Sequence, residues 1–239
     1  MTPIETSTVR VQNLSAYLAR PVDERPRSGM LLLPMVTGIG EQVRDWADAI
    51  ARTGITALVW DTFHGRSVDN TPVPELSKLM GTLDDERALA EQTVLLDHLL
   101  GQLGCTKAGV VGWCLGGRFA LLLAARDSRL ANVIAYHPTV PATLAPQHTL
   151  DPLAEVAGIR APVMVLYPSA DSVVPVEVFG RLQSALQDRA TGATIAHFYP
   201  GAEHGFSDRG RHGTPVNAAA FATSWPQALS FMQTTTAEG

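Results

Sequence analysis

The stretch Gly112-Trp113-Cys114-Leu115-Gly116-Gly117 sets a thiol between an apolar run and a segment of helical character. Its pattern, G-x-C-x-G-G, is that of a nucleophile elbow with cysteine where serine is commoner. Glycines at 112 and 116 let a strand and a helix approach closely while the residue between them takes a strained backbone, which aims its side chain into a cleft. A thiol at a helix N-terminus also meets a partial positive charge that favours thiolate, the form that attacks a carbonyl. Free cysteines are often simply buried as small apolar residues. The glycine context favours the nucleophile at Cys114, whereas Cys105 lacks that context and reads as core packing.

A nucleophile needs a base, and the base needs an acid to hold its tautomer. Of the seven histidines, His204 in YPGAEHGFSD follows the last apolar run by a few residues and is flanked by glycines at 201 and 205. His64, His137, His148 and His212 are loop candidates too, so order along the chain must choose among them. Asp171, in PVMVLYPSADSVVP, lies just beyond an apolar run and before a helical segment, where a lone aspartate would ordinarily cap a turn. The order Cys114, Asp171, His204 is the nucleophile, acid, histidine order of the α/β-hydrolase fold, each at a strand end. Acyl transfer further requires two backbone N–H groups aimed at the developing oxyanion. Leu115, directly after the nucleophile, is expected to supply one, and Val36, in the compact loop after MLLLP, the other.

Elements that position such groups are legible as alternating periods. Short apolar runs at Met30–Pro34, Ile55–Trp60, Ala108–Trp113, Asn132–His137, Pro162–Tyr167 and Thr194–Tyr199 have the length of buried strands. Helical segments are expected at Glu41–Arg52, Asp84–Leu103, Leu115–Ala125, Val176–Asp188 and Asn217–Met232, with Leu89, Leu96, Leu100 and Leu103 near one face of the second. This alternation predicts an α/β fold, a mainly parallel twisted sheet with helices on both faces, and VRVQNLSAYLARP as an antiparallel edge hairpin. Active groups then gather beyond the carboxyl ends of the strands. Without an internal repeat or Gly/Ser-rich linker, residues 1–239 are expected to form a single domain.

A net charge of -5 gives no basic face for nucleic acid. The two cysteines lie in no CxxC or Cys/His cluster, which argues against a disulfide framework or a metal. The opening has no basic region followed by an apolar block, and no later run reaches membrane-spanning length, so a cytoplasmic protein with no membrane partner is expected. A nucleotide fold is excluded because Gly109, Gly112, Gly116 and Gly117 do not fit G-x-G-x-x-G and no acid ends the next strand.

The motifs GWCLGG, SADSVVP, GAEHGF and WDTFHGR resemble the dienelactone hydrolase family, a cysteine branch of the α/β-hydrolases, from about Met30 to the C-terminal helix. The resemblance implies Cys114 as nucleophile, His204 as base, Asp171 as orienting acid and Leu115 and Val36 as oxyanion donors. It also implies a carboxylic ester hydrolase that opens a small lactone or cleaves a small ester without a cofactor. Two positions depart from the family pattern. Met35 stands where family members that open dienelactone carry a glutamate that helps make the thiolate, which leaves His204 to deprotonate Cys114 and makes the pocket more apolar. Asp208 stands four residues after His204, where the family has a carboxylate-binding arginine; Arg209, one place later, is either a displaced form of that contact or a solvent-exposed side chain. TPVPELSKLM offers no arginine for the family's second anchor, so a less anionic substrate is expected. Candidate substrate contacts are Met35, Trp113, Tyr136 and Arg209, the long connection Pro138–Arg160 being either a pocket border or a crossover. Other readings are elimination, isomerisation or acyl transfer by the same triad, or a non-catalytic binding module, on a monomer or homodimer.

Overall fold

Period-two burial divides the central strand residues between two layers. Leu31, Leu33, Leu58, Trp60, Val110 and Val133 enter one apolar cluster, while Met30, Leu32, Ala57, Val59, Val111 and Ile134 enter the other. A sheet apolar on both faces must be covered on both, which is the condition of a buried parallel sheet. The structure is a computed structural model, and it describes residues 2–22, 27–145 and 148–237. Residues 146 and 147, within the connection read as either a pocket border or a crossover, lie outside the described residues.

In chain order the elements are β1 (Ile4–Val11), β2 (Leu14–Pro21), β3 (Ser28–Leu33), α1 (Glu41–Ala51), β4 (Thr56–Trp60), α2 (Val73–Met80), α3 (Asp85–Asp97), β5 (Lys107–Trp113), α4 (Leu115–Arg126), β6 (Leu130–Tyr136), α5 (Pro152–Glu155), β7 (Val163–Ala170), α6 (Val176–Gln187), β8 (Thr194–Glu203) and α7 (Pro215–Thr236). They build an eight-stranded sheet of order β1-β2-β4-β3-β5-β6-β7-β8. The pairs from β4 to β8 are parallel, and the hairpin β1–β2 joins antiparallel to β4 at one edge. This is the α/β-hydrolase architecture. Trp46 and Ile50 of α1 and Ala228 and Met232 of α7 close one face; Leu95 of α3, Phe119 and Leu122 of α4 and Phe179 of α6 close the other. No helix among the described residues is long and apolar enough to cross a membrane.

Besides the one-turn α5 in the long connection, three elements differ from the sequence expectation. α2 was not foreseen because its eight residues bury a single side chain, Leu76, so no long apolar stripe announces it. The helix expected over Asp84–Leu103 ends at Asp97 and continues as a π-helical turn, His98–Gln102. The wider turn changes the helical phase, so Leu99 takes the buried position while Leu100 and Leu103 remain half-buried. β8 runs four residues past Tyr199, which brings His204 directly to the end of a strand.

Candidate active site

Cys114 sits between the last residue of β5 and the first of α4 with φ 53° and ψ -112°, a conformation an L-residue holds only under constraint. Its neighbours supply that constraint. A Cβ at Gly112 would lie 2.0 Å from the Gly116 carbonyl oxygen, and one at Gly116 would lie 1.9 Å from the Leu33 carbonyl oxygen. Both contacts are backbone against backbone, so neither position accepts any larger residue without opening the turn. The Cys114 N–H donates to the Tyr136 carbonyl at 3.0 Å, which anchors the turn to β6.

His204 brings Nε2 to 3.1 Å from the Cys114 sulfur, and its Nδ1 lies 2.9 Å from Asp171 Oδ2. Asp171 serves both roles that its position suggested. Its Oδ1 caps the loop by accepting from the N–H groups of Val173 at 2.7 Å and Val174 at 2.9 Å, while both Oδ2, at 2.9 Å, and Oδ1, at 3.1 Å, face His204 Nδ1. Burial opposes ionisation of Cys114, but hydrogen bonding and charge from His204, with the Thr139 hydroxyl and the Leu115 N–H, hold the thiol below its ordinary range. Burial by itself would lower the His204 pKa; the hydrogen bonds to Asp171 and Cys114 outweigh it and raise the value to about 9. Both directions favour a thiolate beside an imidazolium. Cys105 is the opposite case, buried against Gly29 and pushed up to about 11 by desolvation.

The remaining histidines have other partners. His64 faces Glu91 at 3.5 Å, His148 faces Asp85 at 3.2 Å, and His212 Nε2 donates to the Phe206 carbonyl at 3.0 Å. His137 is fully buried with Nε2 at 2.8 Å from Ser207 Oγ, its ring packed edge-on against His204 at 5.0 Å between centroids. Sequence reasoning did not single out Thr139, whose Oγ1 lies 3.2 Å from the Cys114 sulfur. The available signal was its place three residues past the end of β6, at the same sheet edge as the triad.

The profile of the dienelactone hydrolase family matches residues 14–236, nearly the whole chain and every residue of this constellation. The chain belongs to the dienelactone hydrolase family. It is 26% identical over 230 residues to an Escherichia coli (strain K12) protein provisionally named carboxymethylenebutenolidase, covering 92% of this chain and 82% of that one. It is 24% identical to a Bradyrhizobium protein provisionally named 2-oxo-3-(5-oxofuran-2-ylidene)propanoate lactonase, covering 91% of this chain and 88% of the other. A crystal structure described provisionally as a dienelactone hydrolase, from Klebsiella pneumoniae, superposes with a TM-score of 0.85 at 22% identity over 97% of this chain and 98% of that one, a likeness of fold.

Met35 is buried and lines a cavity of about 170 Å³ together with Val43, Val68, Val73, Thr37 and Asp208. No cationic side chain lines it. Arg209 does not enter: its guanidinium pairs with Asp45 on α1, and its N–H donates to Gln42 Oε1 at 2.9 Å. Gln42 also donates to the Ser207 carbonyl at 3.0 Å, so this side chain fastens the loop after His204 to α1. Trp113 and Tyr136 do not line this cavity either. Both are fully buried beneath the elbow, Trp113 stacked on Trp46 at 4.3 Å and 5.9 Å from Tyr136. As strand residues of β5 and β6 they point to the α1 and α7 layer rather than to the sheet edge. Val36 is half-buried, and among the described residues its N–H has no protein acceptor. Among those residues no group of three or more His, Cys, Asp or Glu side chains is disposed to hold a metal.

Proposed function

We propose that this protein hydrolyses a small, uncharged lactone or carboxylic ester through Cys114, His204 and Asp171. The observation that carries the reading is the hydrogen-bond succession from Asp171 Oδ2 to His204 Nδ1 at 2.9 Å and from His204 Nε2 to the thiol at 3.1 Å. The Cys114 sulfur attacks the acyl carbon, the carbonyl oxygen takes the negative charge, and the N–H groups of Leu115 and Val36 receive it. Collapse of the tetrahedral species breaks the C–O bond, and the departing oxygen takes the proton from His204 Nε2. In a lactone that oxygen stays tethered to the acyl group. Water, deprotonated by the now neutral His204, then attacks the thioester and releases the carboxylic acid and the free thiol. Asp171 holds the imidazole so that Nε2 faces the sulfur and stabilises its positive charge.

The uncharged substrate is inferred from the cavity beside Met35, where Val43, Val68 and Val73 are joined by the neutral Thr37 and Gln42 and the one ionisable lining residue, Asp208, is acidic. A substrate carboxylate would meet a like charge and no partner there. Turnover of para-nitrophenyl acetate by the wild type and by Cys114→Ala tests the reading. The wild type is expected to release nitrophenol and the alanine variant none above background; activity that survives the substitution refutes it. In isotopically labelled water the product acid is expected to gain solvent oxygen, which elimination or isomerisation by the same groups would not introduce.

A further inference from the structure

We propose that Thr139 is a catalytic residue whose hydroxyl donates to the Cys114 sulfur and holds the thiolate before any substrate arrives. The oxygen lies 3.2 Å from the sulfur, and among the described residues it has no other hydrogen-bond partner. Its position is not left to a floppy loop. The Cys114 N–H donates to the Tyr136 carbonyl at 3.0 Å and the Thr139 N–H donates back to the Cys114 carbonyl at 3.0 Å, while the His137 N–H bonds the Leu166 carbonyl at 2.7 Å. Residues 136 to 139 and the elbow are thus laced together through the backbone of the nucleophile itself. The close approach also depends on Gly117, where a Cβ would sit 3.0 Å from Pro138 Cα.

The chemistry of a hydroxyl suits this place. With the sulfur protonated, Thr139 Oγ1 accepts from it; once the proton has passed to His204 Nε2, the hydroxyl turns and donates to the thiolate. A carboxylate at the same distance would accept the proton equally well but would then repel the thiolate. Met35 occupies the position where the family resemblance implied an acid, so the stabilising contacts on the sulfur are His204, Thr139 and the Leu115 N–H. The titratable groups around them are Asp171, behind His204 at 2.9 Å, and the buried His137, 5.0 Å from the His204 ring. No atom changes hands other than the thiol proton, which ends on the imidazole.

This inference rests on the reading of Cys114 as the nucleophile, but its test reads the sulfur directly and uses no ester. The ionisation of Cys114 is followed by far-ultraviolet thiolate absorbance and by the rate of iodoacetamide alkylation as a function of pH, with Cys114→Ser as the blank. Thr139→Val is nearly isosteric and keeps the N–H that bonds Cys114. It is expected to raise the midpoint of thiolate formation by about one pH unit and to slow alkylation about tenfold on the acid side, equivalent to about 1.4 kcal/mol. Thr139→Ser, which keeps the hydroxyl and loses the methyl, is expected to titrate like the wild type. Coincidence of the valine and wild-type curves overturns the proposal, as does an equal displacement of valine and serine variants, which would assign the effect to packing. If the valine variant does not fold, Thr139→Ala against Thr139→Ser makes the same comparison. A titration that responds to the hydroxyl in a protein that cleaves no ester would leave this inference standing and remove the hydrolase reading.

Discussion

Replacing Asp171 by asparagine separates the two tasks of that carboxylate. Oδ1 accepts from the Val173 and Val174 N–H groups, and an asparagine oxygen can keep both bonds, so the loop after β7 should hold its shape. The amide nitrogen then replaces Oδ2, 2.9 Å from His204 Nδ1, which leaves the imidazole only the neutral Oδ1 at 3.1 Å as its acceptor. The carboxylate charge that favours the imidazolium is gone, while the loop and the longer hydrogen bond can stay. In the native protein the His204 pKa stands at about 9 against an ordinary 6.5. That difference is about 3.4 kcal/mol in favour of the imidazolium. Burial works against it, so the favourable contributions of Asp171 and Cys114 together exceed this figure. Shared evenly, the loss of Asp171 removes at least about 1.7 kcal/mol and brings the His204 midpoint below about pH 8.

Nuclear magnetic resonance titration of the His204 ring protons reads this midpoint directly, and steady-state kinetics on an alkyl ester should show kcat/KM lower by about 100-fold or more. Stability does not carry the same signature, because the proton that His204 gains on folding is the one Cys114 gives up: between pH 6.5 and about 9 the pair binds as many protons folded as unfolded, and its contribution to the melting temperature should be level there. A His204 midpoint that stays at the wild-type value in Asp171→Asn would refute the claim that this carboxylate sets the charge of the base.

Gly116→Ala places a Cβ 1.9 Å from the Leu33 oxygen and 2.7 Å from the Pro34 oxygen, neither able to retreat, so urea unfolding should show a loss of about 3 kcal/mol or more. Arg118→Met strips Asp85 of a bidentate partner at 2.7 and 2.9 Å in the core, an expected loss of about 3–5 kcal/mol in the same experiment. Burial would raise the Asp85 pKa, but Arg118 and two backbone N–H groups hold it below the ordinary value, so wild-type stability should fall as the pH drops through that depressed pKa. For matched aryl esters with and without a carboxylate on the acyl chain, kcat/KM should favour the neutral one, and Asp208→Asn should narrow the gap about tenfold by removing one like charge. An unchanged ratio would show that the cavity beside Met35 does not receive the acyl chain.

What could be read from the amino-acid sequence follows from which constraints are local. The elbow was legible because its pattern is contiguous, Gly112 answering to Gly116 four residues on, although Gly116 itself answers to Leu33 on the neighbouring strand β3. The layers were legible because alternation along β3 to β7 is a property of each strand alone. β8 was read short at Tyr199 because Pro200-Gly201 resembles a turn. As an edge strand, β8 pairs only with β7, so a missing N–H there leaves the ladder intact. Trp113 was named as a candidate contact beside Cys114 and Tyr136 as one at the start of the long connection. Period two places Trp113 with Val111 on the face opposite Val110, in the layer that also holds Tyr136.

Thr139 shows the limit of such reading, and also how a motif can hold more than its strained residue explains. Gly112 and Gly116 meet the backbone of the turn and of β3, whereas a Cβ at Gly117 would meet Pro138 and the Tyr136 carbonyl oxygen. Its vacancy is filled by Pro138, from a connection more than twenty residues later in the chain. Proline fixes the backbone before the threonine, and the Thr139 N–H then closes onto the Cys114 carbonyl. The second glycine of the pair thus serves the seating of residue 139 as well as the turn, since a Cβ there would also lie 3.1 Å from the Tyr136 carbonyl oxygen that accepts from the Cys114 N–H. Gly117→Ala should therefore disturb the thiol from both sides, through Thr139 and through the anchor of the turn on β6, and slow its alkylation by iodoacetamide.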